Sequence, residues 1–231
     1  MQIVEVSVTG VRSAVIMLRR QPTPLQFALF PMIHLGTPAF YEAVTERLAG
    51  CQLIVAEGVT GRSAAVRALT LAYRLPGRSH RLNLAVQDID YAALGVPVIR
   101  PDITAEQFQQ RWRGVPLLQR AAVWCLIPPF AVAELLFGTR RFIARYLAVE
   151  DLSEKNISLE RGLGELIELV VDHRDRLLIE GLASIHQARC AEPITVGVVY
   201  GAGHIAAVVQ ALLAEYGYRP RTAEWLTVFD F

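Results

Sequence analysis

Lysine is almost absent from this chain, in which Lys155 is the only one among 231 residues. Arginine therefore carries nearly all of the positive charge, and the net charge is only +1. The arginines are scattered and form no long basic run, which argues against nucleic acid as the main partner. Charged residues make up 19% of the chain and hydrophobic residues 53%, a composition typical of a folded globular protein with a substantial core.

Cysteine is also scarce. Cys51, Cys125 and Cys190 are an odd number, lie far apart and form no C-x-x-C pair, which disfavours a disulfide framework and a zinc knuckle. The first ten residues, MQIVEVSVTG, lack the basic region and unbroken apolar segment of a signal peptide. We therefore predict a cytoplasmic protein whose thiols are reduced and mostly buried.

Long hydrophobic runs are few as well. The most apolar stretch, Ala121 to Phe137, falls short of the roughly 20 residues that span a bilayer, and it contains Pro128, Pro129 and Glu134. It therefore predicts a buried helix pair broken at the prolines and no membrane span. The sequence leaves two roles open for this stretch, a cover for a cleft or a homodimer interface.

Strands and helices alternate at both ends of the chain. The first 33 residues are rich in β-formers, Pro38 to Ala49 predicts a helix, and Thr104-Ala-Glu-Gln107 has the spacing of a capping box that starts another. Between about residues 116 and 190 the pattern is mostly helical. We therefore predict a single α/β domain over residues 1–231, with a central mixed sheet, flanking helices, an N-terminal β-rich segment and a helical insertion at about 116–190.

Four polar residues follow predicted strands at the point where each strand ends. They are His34 after LFPMI, Glu57 after LIVA, Asp102 after VPVIRP and His204 after VGVVYGAG. In an open α/β sheet the C-terminal ends of the strands face the ligand crevice. Each residue alone can be an ordinary hydrogen-bonded turn residue. Together, the two histidines and the glutamate can converge as metal ligands or as acid–base partners.

An arginine interrupts the apolar face of a predicted helix at about Leu163 to Gly181. Arg174 lies four residues after Val170 and three before Leu177, on the stripe that faces the core, whereas its neighbour Asp175 is predicted to point elsewhere. A guanidinium keeps its proton, so burying it requires acidic or carbonyl partners. Arg174 therefore either reaches the rim and ties down a loop, or points into a site where it pairs with a carboxylate or an anion.

Three short motifs contain these residues. Gly201-Ala-Gly-His204 is a G-x-x-H motif, Val55-Ala-Glu57 ends a strand in glutamate, and His173-Arg174-Asp175 places an arginine on a late helix. In order and spacing they resemble the TraB–Tiki family, which belongs with the erythromycin-esterase-like and ChaN-like proteins. The first G-x-x-H motif of that family stands here as Pro31-Met-Ile-His34, followed by Leu-Gly-Thr. The resemblance covers roughly His34 to the C-terminus.

The resemblance implies an α/β domain with a helical insertion and a metal-dependent hydrolase of a peptide or of a small ester or amide. Tiki-like members are described as metal-dependent proteases, and bacterial TraB-like members are tied to peptide-pheromone control. In such a site His34 and His204 bind a divalent metal ion or shuttle protons, and Glu57 is a third ligand or the general base for water. Arg174 orients Glu57 or stabilises an oxyanion, and Arg174 and Asp102 are the expected substrate-binding residues.

Two departures from the family pattern favour an alternative. Pro31 stands in place of glycine, and His173 stands in place of the acid before the arginine. Both suit a catalytically inactive regulatory protein that binds a peptide or an anion in the same cleft.

The glycine-rich turn before His204 suggests a third, remote reading as a dinucleotide site. Gly201, Gly203 and Ala206 match the G-x-G-x-x-G/A turn that holds a pyrophosphate at a helix N-terminus. Only 30 residues follow Gly201, too few for the further βα units that such a fold needs. Glu224 lies at about the distance of the acid that binds the ribose, but it precedes a predicted strand and does not end one.

Overall fold

The computed structural model describes residues 2–59, 64, 66, 67, 70, 74, 75, 81–150 and 171–231, with only the backbone at 146–150. The predicted helix at 163–181 therefore lies partly outside the described residues. The described strands are β1 (Val4–Val6), β2 (Gly10–Arg19), β3 (Gln26–Met32), β4 (Leu35–Gly36), β5 (Leu53–Ala56), β6 (Ala85–Val86), β7 (Val98–Ile99), β8 (Thr195–Gly201) and β9 (Arg219–Asp230). The described helices are α1 (Pro38–Leu48), α2 (Ala105–Gly114), α3 (Leu117–Phe137), α4 (Arg140–Glu150), α5 (His173–Arg189) and α6 (Ala202–Tyr216).

Seven of these strands form one mixed sheet, in the order β1-β2-β3-β8-β5-β7 with β9 also paired to β2. β9 runs along the whole length of β2, so β1 and β3 share the other edge of β2. These pairings are antiparallel. The other half is parallel, with β8 between β3 and β5, and β7 outside β5. The predicted α/β class with a central mixed sheet and flanking helices is confirmed.

The parallel half is buried on both faces, as its sequence indicates. β3, β5 and β8 read as unbroken apolar runs with buried side chains along nearly their whole length, the pattern of parallel strands covered by helices on both sides. α1 begins as predicted at Pro38, where the Thr37 hydroxyl accepts from the N–H of Phe40. α6 ends at Gly217, which takes the left-handed conformation with φ 71°.

A second, smaller apolar cluster lies beside the sheet. Its buried members come mainly from α2 and the start of α3: Ile103, Phe108, Trp112, Val115 and Val123. The predicted capping box is present at the start of α2, where Thr104 and Gln107 each accept from the other's backbone N–H. This cap sets where α2 begins, and with it the direction from which Phe108 reaches the cluster.

The prediction of a buried helix pair broken at two prolines is wrong. α3 is one helix of 21 residues with Pro128 and Pro129 inside it. The two prolines remove the donors for the carbonyls of Trp124 and Cys125, but both of these residues are exposed, so water can bond to the carbonyls. The buried residues of α3 are only Gln119, Val123, Ala131 and Glu134.

α3 is thus apolar on its outward side. In the described part of the chain it is the one helix whose length and composition would allow it to cross a membrane, with a mean hydropathy of 1.5 in its most apolar window. One such helix is weak evidence for a span. The predicted roles of this stretch as a dimer interface or as a cover for a cleft stay predictions.

The three cysteines are free, as predicted. They are not mostly buried, however, because Cys125 is exposed on α3 and Cys190 is only partly buried. Burial raises the pKa of the third thiol, Cys51, to about 11, so that thiol stays protonated and unreactive at neutral pH.

Candidate functional site

The four polar residues predicted at strand ends follow four neighbouring parallel strands. His34 follows β3, His204 follows β8, Glu57 follows β5 and Asp102 follows β7, and these strands lie in the order β3-β8-β5-β7. Because the C-terminal ends of parallel strands meet at one edge of a sheet, the residues are brought to the same place. The N-terminal turn of α5 adds Arg174 from a segment 72 residues beyond Asp102.

Arg174 joins two of the strand ends through its guanidinium. Its Nη2 donates to Glu57 Oε1 at 2.7 Å and to Asp102 Oδ2 at 2.6 Å, and its Nε donates to Asp102 Oδ1 at 2.9 Å. Of the two predicted placements, Arg174 therefore takes the inward one, paired with carboxylates. Only 11% of its side chain is exposed, so the ion cluster lies largely out of water.

Asp102 lies behind Arg174 and holds it in place. Its side chain is only 1% exposed, and its carboxylate also accepts from the backbone N–H groups of Gly58 at 3.0 Å and Ile103 at 2.8 Å. A carboxylate with all of these donors has little capacity left for a ligand. The contacts of Asp102 therefore favour a positioning role over the predicted role in substrate binding.

Glu57 lies at the glycine-rich turn between β8 and α6. Its Oε2 accepts from the N–H of Gly201 at 2.7 Å, so its negative charge lies close to the N-terminus of α6, where the helix dipole stabilises an anion. A bound pyrophosphate would need the same N–H and would meet the charge of Glu57. This contact disfavours the dinucleotide reading. Glu224, the acid considered for that reading, lies within β9 and pairs with Arg47.

His204 is oriented by an acid that the sequence argument placed elsewhere. Its Nδ1 lies 2.6 Å from Asp175 Oδ1, and its Nε2 lies 4.0 Å from Glu57 Oε1. Asp175 therefore points into the site, contrary to the prediction. Arg174 and Asp175 both lie in the first turn of α5, where two consecutive side chains can diverge to reach neighbouring groups.

Tyr200 is a second residue of the site that sequence reasoning missed. Its ring is fully buried and meets the His204 imidazole edge-on, with centroids 5.8 Å apart. Its hydroxyl donates to the carbonyl of Pro101 at 3.2 Å. Tyr200 thus connects the end of β8 to the segment that carries Asp102. Its signal in the sequence is weak, because an aromatic residue at the end of an apolar strand is common in any core.

Opposing effects set the charges in the cluster. Burial acts to raise the pKa of Glu57, but Arg174, His204, His34 and the Gly201 N–H outweigh it and hold that pKa below 4.5. Burial likewise acts to raise the pKa of Asp102, and its bonds from Arg174 lower it. Burial acts to lower the pKa of Arg174, and the two carboxylates raise it instead. At neutral pH the cluster therefore holds two carboxylates and one guanidinium.

His34 is uncharged at neutral pH. Burial lowers the pKa of His34 below 6.5, although Glu57 and the neighbouring side chain of Gln87 act to raise it. The backbone carbonyl of His34 also accepts from the N–H of Gln87 at 2.9 Å, which ties the end of β3 to the strand pair of β4 and β6. Pro31, which stands in place of the family's glycine, lies within β3 and does not remove His34 from the site.

A half-open cavity of about 410 Å³ adjoins the ion cluster. His34, Glu57 and Arg174 line it, whereas Asp102 and His204 do not. The other described residues that line it are Gly58, Val59, Val66, Thr70, Arg74, Val86, Gln87 and Phe108. The volume falls within the range of ligand sites, which combine apolar walls with a few placed polar groups.

Gly181 allows α5 to approach the segment that carries Asp102. A Cβ atom at this position would lie 2.6 Å from Cβ of Pro101. We expect Gly181→Ala to lower the free energy of unfolding by about 1–3 kcal/mol, because α5 must move away from Pro101. Urea denaturation measures the change. Gly114→Ala is the control, since a Cβ there meets nothing within 4 Å; equal stability of the two variants would contradict the close packing.

The predicted metal ligands do not form a ready metal site. Both oxygens of Glu57 already accept hydrogen bonds, from Arg174 and from Gly201, and the Nδ1 atom of His204 is bonded to Asp175. Among the described residues, no group of three or more histidine, cysteine, aspartate or glutamate side chains is placed to hold a metal ion. Metal binding by His34, Glu57 and His204 therefore stays a prediction, and the existing hydrogen bonds of Glu57 and His204 disfavour it.

Another buried histidine lies outside the site. His186, whose place on its helix predicts a surface residue, is buried, and its Nδ1 lies 3.1 Å from the hydroxyl of Tyr218. Its described hydrogen bonds and ring contacts are with Arg20, Tyr216 and Tyr218, and it does not line the cavity. His186 therefore serves as a control histidine for the site.

Comparisons with protein-family models, with curated proteins and with solved structures found no match to this chain.

Proposed function

We propose that this protein is a hydrolase of a peptide or of a small ester or amide, with its site at the C-terminal ends of β3, β8 and β5. One observation carries the proposal: a neutral histidine, an ionised glutamate and a buried arginine line the same cavity. Hydrolysis by an activated water requires a base, a negative charge that stabilises the protonated base, and a cation beside the bound substrate.

His34 is the general base in this proposal. It removes a proton from a water molecule as the water oxygen bonds to the carbonyl carbon of the substrate. Glu57 stabilises the imidazolium that forms, because the two groups attract each other once His34 is charged. The proton then passes from His34 to the leaving nitrogen or oxygen as its bond to the carbonyl carbon breaks. This yields an amine or alcohol and a carboxylic acid, which releases its own proton to the solvent at neutral pH.

Arg174 supports negative charge on the substrate oxygen. Its described hydrogen bonds use Nε and Nη2, and the guanidinium lines the cavity, so Nη1 is the group proposed to meet the developing oxyanion. His204 does not line the cavity. We assign it a positioning role, in which Asp175 orients its ring and its Nε2 atom faces Glu57.

No step is routed through a metal ion, because the oxygens of Glu57 and the Nδ1 atom of His204 already have protein partners. Activity is accordingly expected to survive dialysis against a chelator. Loss of activity that a divalent metal restores would contradict this part of the proposal and favour the metal-dependent reading.

A panel of small esters, N-acyl amino acids and N-acyl amino acid amides tests the proposal. We expect wild-type protein to hydrolyse at least one of them, and His204→Asn to lower kcat by about tenfold or more, because Glu57 loses its neighbour and shifts. His186→Asn is the control, a buried histidine bonded to Tyr218 away from the cavity, and its activity should be unchanged. Absence of turnover by folded wild-type protein would exclude the hydrolase.

The second candidate is a regulatory protein that binds a peptide or an anion in the same cavity. The mutual pairing of Arg174, Glu57 and Asp102 favours it, since a fully paired ion cluster is stable without chemistry. Calorimetric binding of a small ligand by wild-type protein that turns over nothing in the panel would select this candidate.

A further inference from the structure

We propose that the cavity recognises an acylated amino acid or a peptide C-terminus, with the free carboxylate held by Arg74 and an apolar side chain against the apolar part of the lining. This inference names the substrate class of the proposed function and rests on the same cavity. It follows from three features of the lining that the ion cluster does not use.

Arg74 is the first feature. It lines the cavity and is exposed, and within the described part of the chain no ion pair links it to a carboxylate. Arg174, by contrast, already has two carboxylate partners. Among the described lining residues, Arg74 is therefore the cation that can take a ligand anion. A guanidinium suits a carboxylate because it can donate two parallel hydrogen bonds.

The apolar part of the lining is the second feature. It is built from Val59, Val66, Val86 and Phe108, and three of these residues belong to, or pack against, the smaller apolar cluster: Phe108, Val59 and Val66. A wall anchored in this way suits an aliphatic or aromatic side chain of the ligand, whose burial there removes apolar surface from water.

Gln87 provides the third feature. It lines the cavity, and its Oε1 atom is buried without a hydrogen-bond partner among the described residues. A buried acceptor without a donor costs free energy, and an N–H group of a ligand supplies that donor. An amide N–H, an apolar side chain and a carboxylate on one small molecule are the parts of an N-acyl amino acid or of the last residue of a peptide.

The charges of the site fix the direction of this ligand. Glu57, Asp102 and Arg174 together hold a net negative charge, which repels a carboxylate, whereas Arg74 attracts it. The scissile acyl group then lies beside His34 and Glu57. Hydrolysis breaks the acyl carbon–nitrogen bond, with water supplying the hydroxyl group to the acyl carbon and a proton to the released amine.

Calorimetry with N-acetyl-leucine and its neutral carboxamide tests the inference without requiring turnover. We expect wild-type protein to bind the carboxylate form at least about tenfold more tightly than the amide form, as a charged pair contributes. Arg74→Gln should remove this preference and leave the affinity for the amide form unchanged. Arg67→Gln is the matched control, because Arg67 is an exposed arginine on the same segment that does not line the cavity.

A second ligand isolates Gln87. The analogue of N-acetyl-leucine with an ester oxygen in place of the N–H should bind several-fold more weakly to wild-type protein and lose no further affinity in Gln87→Leu. Equal affinities for carboxylate and amide, parallel behaviour of Arg74→Gln and Arg67→Gln, or no binding of either ligand would each overturn the inference. Selective binding without hydrolysis would instead contradict only the proposed hydrolase function. Hydrolysis without a preference for the carboxylate form would contradict only this inference.

Discussion

Arg174→Met is expected to lower the free energy of unfolding by about 3–5 kcal/mol, because it leaves Glu57 and Asp102 buried without their cation. Methionine keeps the unbranched length of the side chain, so the loss arises from charge and hydrogen bonds more than from volume. The Asp102 side chain is 1% exposed and that of Glu57 15%, so water replaces the guanidinium only in part. Urea denaturation followed by circular dichroism measures the change.

Arg189→Met is the matched control for this prediction. It makes the same substitution on the same helix, where Arg189 pairs with Glu192 at the surface, and exposed pairs of this kind contribute about 0–1 kcal/mol. Equal losses in the two variants would show that the buried cluster is not a stabilising element.

The effect of Arg174→Met should also shrink as the pH falls. In wild-type protein the pKa values of Glu57 and Asp102 are lowered, so their stabilisation is present above about pH 4 and is lost as the pH falls through the folded values. In the variant, burial without Arg174 raises both pKa values, and protonation then relieves the penalty. A difference between wild type and variant that stays constant from pH 7 to pH 3 would contradict this electrostatic origin.

The strand ends of the site could be predicted from the sequence because local signals fix them. Glu57 and His34 end runs of apolar residues that are typical of a doubly covered parallel strand, and such strands direct their C-terminal ends to one edge. Arg174 was identifiable for a different reason, since a guanidinium on an apolar helical stripe requires acidic partners wherever the chain provides them. These patterns do not give the order of the strands in the sheet. That order places β8 next to β5, and so His204 beside Glu57.

The features that sequence reasoning missed depend on tertiary geometry. Asp175 reaches His204 because the first turn of α5 points at the end of β8, and helical periodicity alone cannot show where a helix end lies. The prediction of a break in α3 rests on the usual effect of proline, which interrupts helices. In an exposed helix, however, water can bond to the two carbonyls that lose their N–H donors to the prolines. Arg74 and Gln87 carry no motif, and only the cavity assembled around them gives them a possible role.

His34→Asn is expected to lower kcat for the best substrate of the panel by about 10²–10⁴-fold, the usual contribution of a general base. Asparagine keeps a polar side chain of similar reach at the end of β3 but accepts no proton at neutral pH. Affinity for N-acetyl-leucine should change little, since binding is assigned to Arg74 and the apolar wall. Steady-state kinetics and calorimetry on the same preparations separate the two effects.

The pH profile distinguishes a base from a structural histidine. His34 works in its unprotonated form and its pKa is lowered below 6.5, so wild-type kcat/KM should be level at neutral pH and fall with decreasing pH only below that value. The residual activity of His34→Asn should lack this acidic limb, whereas His186→Asn should retain both the limb and the full rate. Because His186 is also buried but lies outside the cavity, an equal loss in the two variants would assign the effect to folding and remove His34 as the base.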